Sequence, residues 1–151
     1  KRHGINTENN YTENNDTDSF YSYENEVEGR QIYKRYYEYF RESLEMDILE
    51  ADTSLDTDEL RGILELLVEV CSSQRSVVRI NREEMPADIV KSRLMKLNSE
   101  HIRYVLLTLG KNTTKIRDTK QYMLSALFNA PVTMSTYYKN WVAHNSHVGT
   151  V

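Results

Sequence analysis

The amino-acid sequence predicts a mainly α-helical, compact domain of five or six helices with one short β-hairpin near residues 76–85. From residue 30 onward, apolar side chains recur at spacings of three and four, which is the period of one face of an α-helix. Capping and stop signals divide this pattern into separate helices. Only the stretch SVVRINREEMP departs from it, with a short run of β-branched residues and an Asn-Arg pair that can turn the chain.

Residues 1–29 are predicted to be a disordered linker rich in Asn and Glu. They contain the tandem repeats TENNY and TENND and almost no aliphatic side chains. Such a segment buries too little apolar surface to offset the entropy of ordering it. The helical domain is therefore expected to span residues 30–147, with residues 148–151 as a tail.

The first two helices of this domain are expected to pack through apolar stripes. The first carries an aromatic stripe that leads to Phe40 and Leu44. The second begins after Asp56, which can cap it while Glu59 reaches back as in a capping box. Because Cys71 falls on the apolar stripe of this second helix, we predict that it is a small core residue and not a nucleophile.

Two more helices follow the hairpin. Pro86 is tolerated in the first turn of a helix that continues through Leu94. The Asn98-Ser99 pair can cap the next helix, whose stripe includes Leu106.

The C-terminal region is predicted to form a helical hairpin. Pro131 is expected to end one helix, because proline cannot continue the hydrogen-bond ladder, and Thr133 can cap the last one. Two helices joined by so short a connection pack against each other. Tyr137 is then expected at the rim, half exposed, where it can anchor a protein interface. The predicted aromatic core of this hairpin consists of Tyr122, Tyr138 and Trp141.

Charged residues are segregated along the chain. The net charge is −5 over residues 1–29, −6 over residues 30–74 and +6 over residues 75–120. A basic segment can bind an anionic partner, or its charges can be neutralised within the fold, and both interpretations stay open. The candidate residues for contact with an acidic protein surface or DNA are Lys111, Lys115, Arg117, Lys120, Arg93 and Lys96.

The sequence lacks the motifs of common catalytic and metal sites. It has no glycine-rich phosphate loop, no His-Glu-x-x-His, no paired cysteines and no Gly-x-Ser-x-Gly. The acidic run from Glu45 to Asp52 lacks the spacing of a calcium loop, so a solvated connection is expected there. We therefore predict a domain that is not an enzyme and that needs no cofactor and no metal.

The expected location is the cytoplasm of a bacterium. No run approaches the roughly 18 apolar residues of a membrane span, and the polar N-terminus is unlike a signal peptide. One cysteine fits a reducing compartment. The alternative is secretion, which would make the sequons at Asn10, Asn15 and Asn112 relevant.

Three runs of the sequence resemble one family of proteins. They are VKSRLMKLNSEHIRYVL from Val90, KIRDTKQYMLSALFNAP from Lys115, and the ending that contains Tyr137, Tyr138, Val142 and His144. Together these runs are similar to the C-terminal domain of RepA-type replication initiators of plasmids and conjugative elements in Firmicutes, over residues 31–147. The resemblance implies a fragment of such an initiator, without the winged-helix domain that binds the origin.

The resemblance also implies a function. In this family the helical domain is expected to recruit host replication proteins, such as primase, helicase or the helicase loader, without catalysis of its own. The domain is also similar to the helical domain of the primosome protein DnaD. The DnaD pattern Tyr-Ile-x-x-Ile-Leu-x-x-Trp maps onto Tyr122, Met123, Ala126 and Leu127, but its tryptophan falls at Ala130. The alternative function is a nonspecific or single-stranded DNA-binding module, which the basic segment favours.

Overall fold

A computed structural model of the chain describes residues 14–110 and 119–148, with side chains described for residues 22–110 and 119–146. The helices among these residues are α1 (Asn14–Ser43), α2 (Met46–Ala51), α3 (Thr57–Ser72), α4 (Ala87–Leu94), α5 (Ser99–Gly110) and α6 (Thr119–Val148). Strands β1 (Val77–Ile80) and β2 (Glu83–Pro86) lie between α3 and α4. The predicted fold class, a mainly helical domain with one short hairpin near residues 76–85, is confirmed.

Helix α1 begins inside the segment predicted to be a disordered linker. It starts at Asn14 and continues without interruption past Arg30 to Ser43. Its described side chains before Arg30 are exposed, apart from the half-buried Val27, and the first completely buried one is Phe40. Residue 30 is thus not a helix boundary, and residues 1–13 of the predicted linker lie outside the described residues.

Helix α3 lies at the centre of the domain. Its predicted stripe of Leu60, Ile63, Leu64, Leu67 and Cys71 is completely or almost completely buried, and α1, α4 and α6 pack around it. The predicted cap at its start is present: an oxygen of the Asp56 carboxylate accepts hydrogen bonds from the backbone N–H groups of residues 58 and 59, at 2.8 and 3.1 Å. Short helix α2, which the sequence did not predict, closes one side of this core with two buried side chains.

The hairpin packs against α6 as well as α4. Val78 pairs with Met85 across the two antiparallel strands. The turn residues Asn81 and Arg82 both have positive φ, at 51° and 70°, as a two-residue hairpin turn with the twist of the strands requires. The backbone N–H of Asn81 donates to the Ser125 hydroxyl of α6 at 3.2 Å. The hairpin therefore fixes the first half of α6 against the domain.

Helix α6 is one continuous helix where the sequence predicted a helical hairpin. The predictions that Pro131 ends a helix and that Thr133 caps the next one are wrong. Pro131 removes the backbone donor that would bond to the carbonyl oxygen of Leu127 one turn earlier. The Thr133 hydroxyl donates to the carbonyl oxygens of Asn129 and Ala130, at 3.0 and 3.4 Å, and so does not replace that bond. Buried contacts before the proline hold this part of the helix in place, so the lost hydrogen bond is tolerated. None of the helices in the described ranges is long and apolar enough to cross a membrane.

Candidate functional site

One face of α6 is buried over the first half of the helix and uncovered over the second. Leu127 and Ala130 are completely buried in the core. Met134 and Tyr137 follow them by seven residues, or about two turns, so they lie on the same face. Tyr138 and Trp141 follow Leu127 and Ala130 by eleven residues, or about three turns. We call Met134, Tyr137, Tyr138 and Trp141 the aromatic stripe.

The aromatic stripe extends beyond the packed part of the domain. Tyr137 is 41%, Tyr138 49% and Trp141 56% exposed, while Met134 is half-buried. Tyr137 contacts the ring of Tyr104 on α5 with a centroid distance of 5.9 Å, and it contacts Tyr138 at 5.7 Å. Beyond this α5 contact, the stripe is a continuation of the core face with little of the described part of the domain opposite it.

The prediction that Tyr122, Tyr138 and Trp141 form an aromatic core is wrong. It assumed that the chain folds back at Pro131, which would have brought the last two rings against the first half of α6. Since α6 continues in one direction, Tyr138 and Trp141 move away from that half instead. Tyr122, at 36% exposure, lies on another side of the helix from the buried Leu127. Tyr137, expected half exposed at the rim of that hairpin, is 41% exposed, but it is the least exposed of the three rings of the stripe, and the hairpin does not form.

The surface of α6 carries no negative side chain. Its 30 residues include no aspartate and no glutamate, and Lys139 is the charged residue within the second half. The aromatic stripe is therefore bordered by Asn, Ser, Thr, His and one lysine. Such a surface can pack against an apolar face with an acidic rim, or it can stack on bases next to phosphates.

The predicted basic residues are only partly available for a partner. Lys111, Lys115 and Arg117 lie outside the described residues. The Lys120 ammonium lies 2.7 and 2.8 Å from the two carboxylate oxygens of Glu69, so its charge is already paired within the fold.

The other two predicted basic residues lie on or just after α4 and differ in their surroundings. The guanidinium carbon of Arg93 lies 4.4 Å from the centroid of the Phe128 ring, a cation–π contact that attaches α4 to α6. Lys96 is exposed, and no carboxylate among the described residues pairs with it. Of the three predicted basic residues that the structure describes, one is thus paired with a carboxylate, one packs on an aromatic ring, and only Lys96 has neither contact.

Sequence reasoning missed three arginines in or just before the hairpin. Arg75, Arg79 and Arg82 are exposed, and none forms an ion pair with a described carboxylate. Strand alternation was the available signal, because Ile80 is buried and its neighbour in the strand, Arg79, must then point outward.

Three of the four acidic residues in the run after α1 form ion pairs with arginines, so the run is not merely solvated. The Arg41 guanidinium donates to the carboxylates of Glu50 and Asp47, and these bonds raise its pKa further above the ordinary value. A hydrogen bond from the Ser54 hydroxyl, together with one from Arg103, lowers the pKa of Asp52 to about 2. No group of metal ligands forms in the part of the chain that the structure describes.

Cys71 lies in the last turn of α3 and is buried in the core. Desolvation raises the pKa of its thiol to about 12, although the nearby Lys91 acts in the opposite direction. A thiol with so high a pKa holds almost no thiolate at neutral pH. This agrees with the prediction of a small core residue.

A comparison with protein families finds a match over most of the chain. A family model described as a family of unknown function, DUF6017, matches residues 24–149. The match includes the aromatic stripe, the hairpin and all of the core. No curated protein and no solved structure matches the chain.

Proposed function

The chain belongs to DUF6017, a family of unknown function, and we propose that this domain is a non-catalytic protein-interaction module of a plasmid or mobile-element replication initiator. In this proposal the domain recruits host replication proteins, either primase or the helicase-loading machinery, to the origin. The resemblance of three sequence runs to RepA-type initiators supports this class of partner. The observation that carries the mode of binding is the uncovered aromatic stripe of α6.

The aromatic stripe offers enough apolar surface to contribute strongly to binding. An aromatic side chain presents roughly 150–250 Å² for burial, and each of the three rings is exposed by about half. Together they leave on the order of 300 Å² uncovered, worth about 7 kcal/mol at 25 cal/mol per Å². That amount is comparable with the estimated 4–15 kcal/mol cost of association. Tyrosine and tryptophan are also the residues most often found as hot spots at interfaces.

The spacing of the stripe indicates which shape of partner fits it. Residues 134, 137, 138 and 141 are spaced as i, i+3, i+4 and i+7, which is the pattern of a helix that lays one face into an apolar groove. Because α6 has no acidic side chain, acidic residues at the rim of that groove would meet no like charge. The proposed partner surface is thus an apolar groove with an acidic rim.

A comparison of two exposed apolar residues of α6 tests this proposal. Trp141 belongs to the stripe, whereas Val132, which is 60% exposed, lies nine residues away and hence on the opposite side of the helix. We expect Trp141→Ala to weaken binding of primase or the helicase loader by roughly 30-fold, the effect of losing about 2 kcal/mol at a hot spot. Val132→Ala should bind like the wild type. Equal affinities of the two variants, or no binding of either host protein by the wild type, would contradict the proposal.

A second candidate function is binding of single-stranded DNA by the same stripe. Exposed aromatic rings on a helix without acidic residues are suited to stack on unpaired bases close to phosphates. The two functions differ in their response to salt, because release of counterions makes DNA binding fall steeply as the salt concentration rises. Salt titrations with an oligonucleotide and with primase would separate them.

A further inference from the structure

A groove between α1 and α4 is separate from the aromatic stripe. It has a volume of about 510 Å³ and lies over the C-terminal end of α3, and no residue of α6 lines it. Ligand sites in proteins commonly have volumes of roughly 300–1,000 Å³. The groove is open to solvent, so an extended chain can lie in it.

The groove holds two cations without an acidic partner. The Lys91 ammonium is half-buried and donates to the backbone carbonyl of Ser73 at 2.8 Å. Arg35 is exposed at the rim. Neither side chain forms an ion pair with any carboxylate that the structure describes. Lys91 also keeps two further N–H donors for a ligand, since an ammonium group has three.

The walls of the groove are apolar and held in place. Ile32 and Tyr36 lie one turn apart on α1, and Met95 faces the groove from the end of α4. The Tyr39 hydroxyl donates to the carbonyl oxygen of Met95 at 2.6 Å, which ties the two walls together. A groove whose walls are already fixed loses little entropy when a ligand binds.

The floor of the groove offers hydrogen bonds to a peptide backbone. Helix α3 ends at Ser72, and the exposed Gln74 follows it beside the groove. A glutamine side chain has both a donor and an acceptor, so it can pair with one peptide unit of a bound chain.

We propose that this groove binds a short acidic peptide segment of a partner protein. A carboxylate of the peptide pairs with Lys91 and Arg35, and a neighbouring apolar side chain lies among Ile32, Tyr36 and Met95. A nucleic acid fits less well, because strong phosphate binding needs several cations along a track, and this groove offers two between apolar walls. The site does not depend on the aromatic stripe or on the function proposed for it.

Two labelled peptides of equal length provide the probe: one alternates leucine with glutamate, and the other alternates leucine with glutamine. Fluorescence anisotropy with the full chain should show the glutamate peptide binding at least about tenfold more tightly, since charge-assisted hydrogen bonds are the stronger kind. Amide NMR shifts should change at Ile32, Gln74 and Lys91. Equal binding of the two peptides, no binding of the glutamate peptide, or shifts confined to other parts of the domain would overturn the proposal.

A pair of variants on α1 completes the test. Arg35→Gln should weaken binding of the glutamate peptide by several-fold, because it removes a cation at the rim. Lys34→Gln serves as the matched control: Lys34 is the adjacent exposed cation, pairs with Glu38 and does not line the groove. Both side chains are exposed, so both variants should fold. If Arg35→Gln bound the peptide as Lys34→Gln does, the groove would not be the site.

Discussion

Two substitutions on the same face of α6 test whether the domain covers only the first half of that helix. Leu127 is completely buried, whereas Trp141 is 56% exposed. Leu127→Ala removes a packed side chain and leaves a cavity, which should lower the free energy of unfolding by about 2–5 kcal/mol. Trp141→Ala removes a ring that touches little of the domain, so the change should be about 0.5 kcal/mol or less. The smaller side chain is thus expected to matter more.

This order of effects distinguishes one continuous helix from a helical hairpin. If the chain turned back at Pro131 and buried Trp141, Trp141→Ala would cost about 3–5 kcal/mol, as truncations of core aromatics do. For a chain of this length, each kcal/mol changes the melting temperature by roughly 2–4 °C. Leu127→Ala should therefore melt on the order of 10 °C below the wild type, and Trp141→Ala close to it.

Thermal unfolding of the full chain, followed by circular dichroism, measures both effects. Val132→Ala is the control for removing an exposed apolar side chain from α6, because Val132 is 60% exposed on the opposite side. A melting temperature for Trp141→Ala that falls as far as that of Leu127→Ala would refute the continuous helix and its uncovered stripe.

Three further predictions concern the rest of the domain. The lowered pKa of Asp52 stabilises the fold above about pH 4, where the unfolded carboxyl is also ionised. In urea denaturation, the wild type should have a larger free energy of unfolding than Asp52→Asn, and this difference should shrink between about pH 4 and pH 2. A difference that stays constant with pH would contradict this. The Cys71 thiol is buried and its pKa is raised to about 12, so it should react with a thiol reagent only as fast as the domain unfolds. If the folded chain were labelled as rapidly as the chain unfolded in urea, Cys71 would not be in the core. Arg82→Gly should raise the free energy of unfolding by roughly 0.5–1 kcal/mol, because glycine adopts the positive φ of the turn without strain, whereas Arg79→Gly in the adjacent strand should lower it.

Local signals in the sequence predicted most of the elements correctly. The carboxylate of Asp56 caps α3, the Asn81-Arg82 pair forms the hairpin turn, and the apolar stripe that ends at Cys71 is the centre of the core. Each of these features depends on atoms a few residues apart: a cap satisfies nearby N–H groups, and a stripe follows from the helical period. They can be read without knowing the rest of the fold.

The charges of the candidate surface depended on distant contacts. Lys120 pairs with Glu69, and Arg93 packs on Phe128, although nothing in the sequence links these positions. Counting basic residues in the sequence therefore overestimated how many of the described ones are free of contacts within the fold.

The sequence by itself determined that residues 134–141 form an apolar helical stripe, and the tertiary structure decided that this stripe is uncovered. A core face and a docking face follow the same helical period, so their patterns are alike. Pro131 imposes a local cost, but whether the helix ends there depends on how the part of the helix before the proline is packed. Whether a side chain is covered depends on the direction of its helix relative to elements that are distant in the sequence. The periodicity of a sequence contains no such information, because it records the order of residues and not which elements meet.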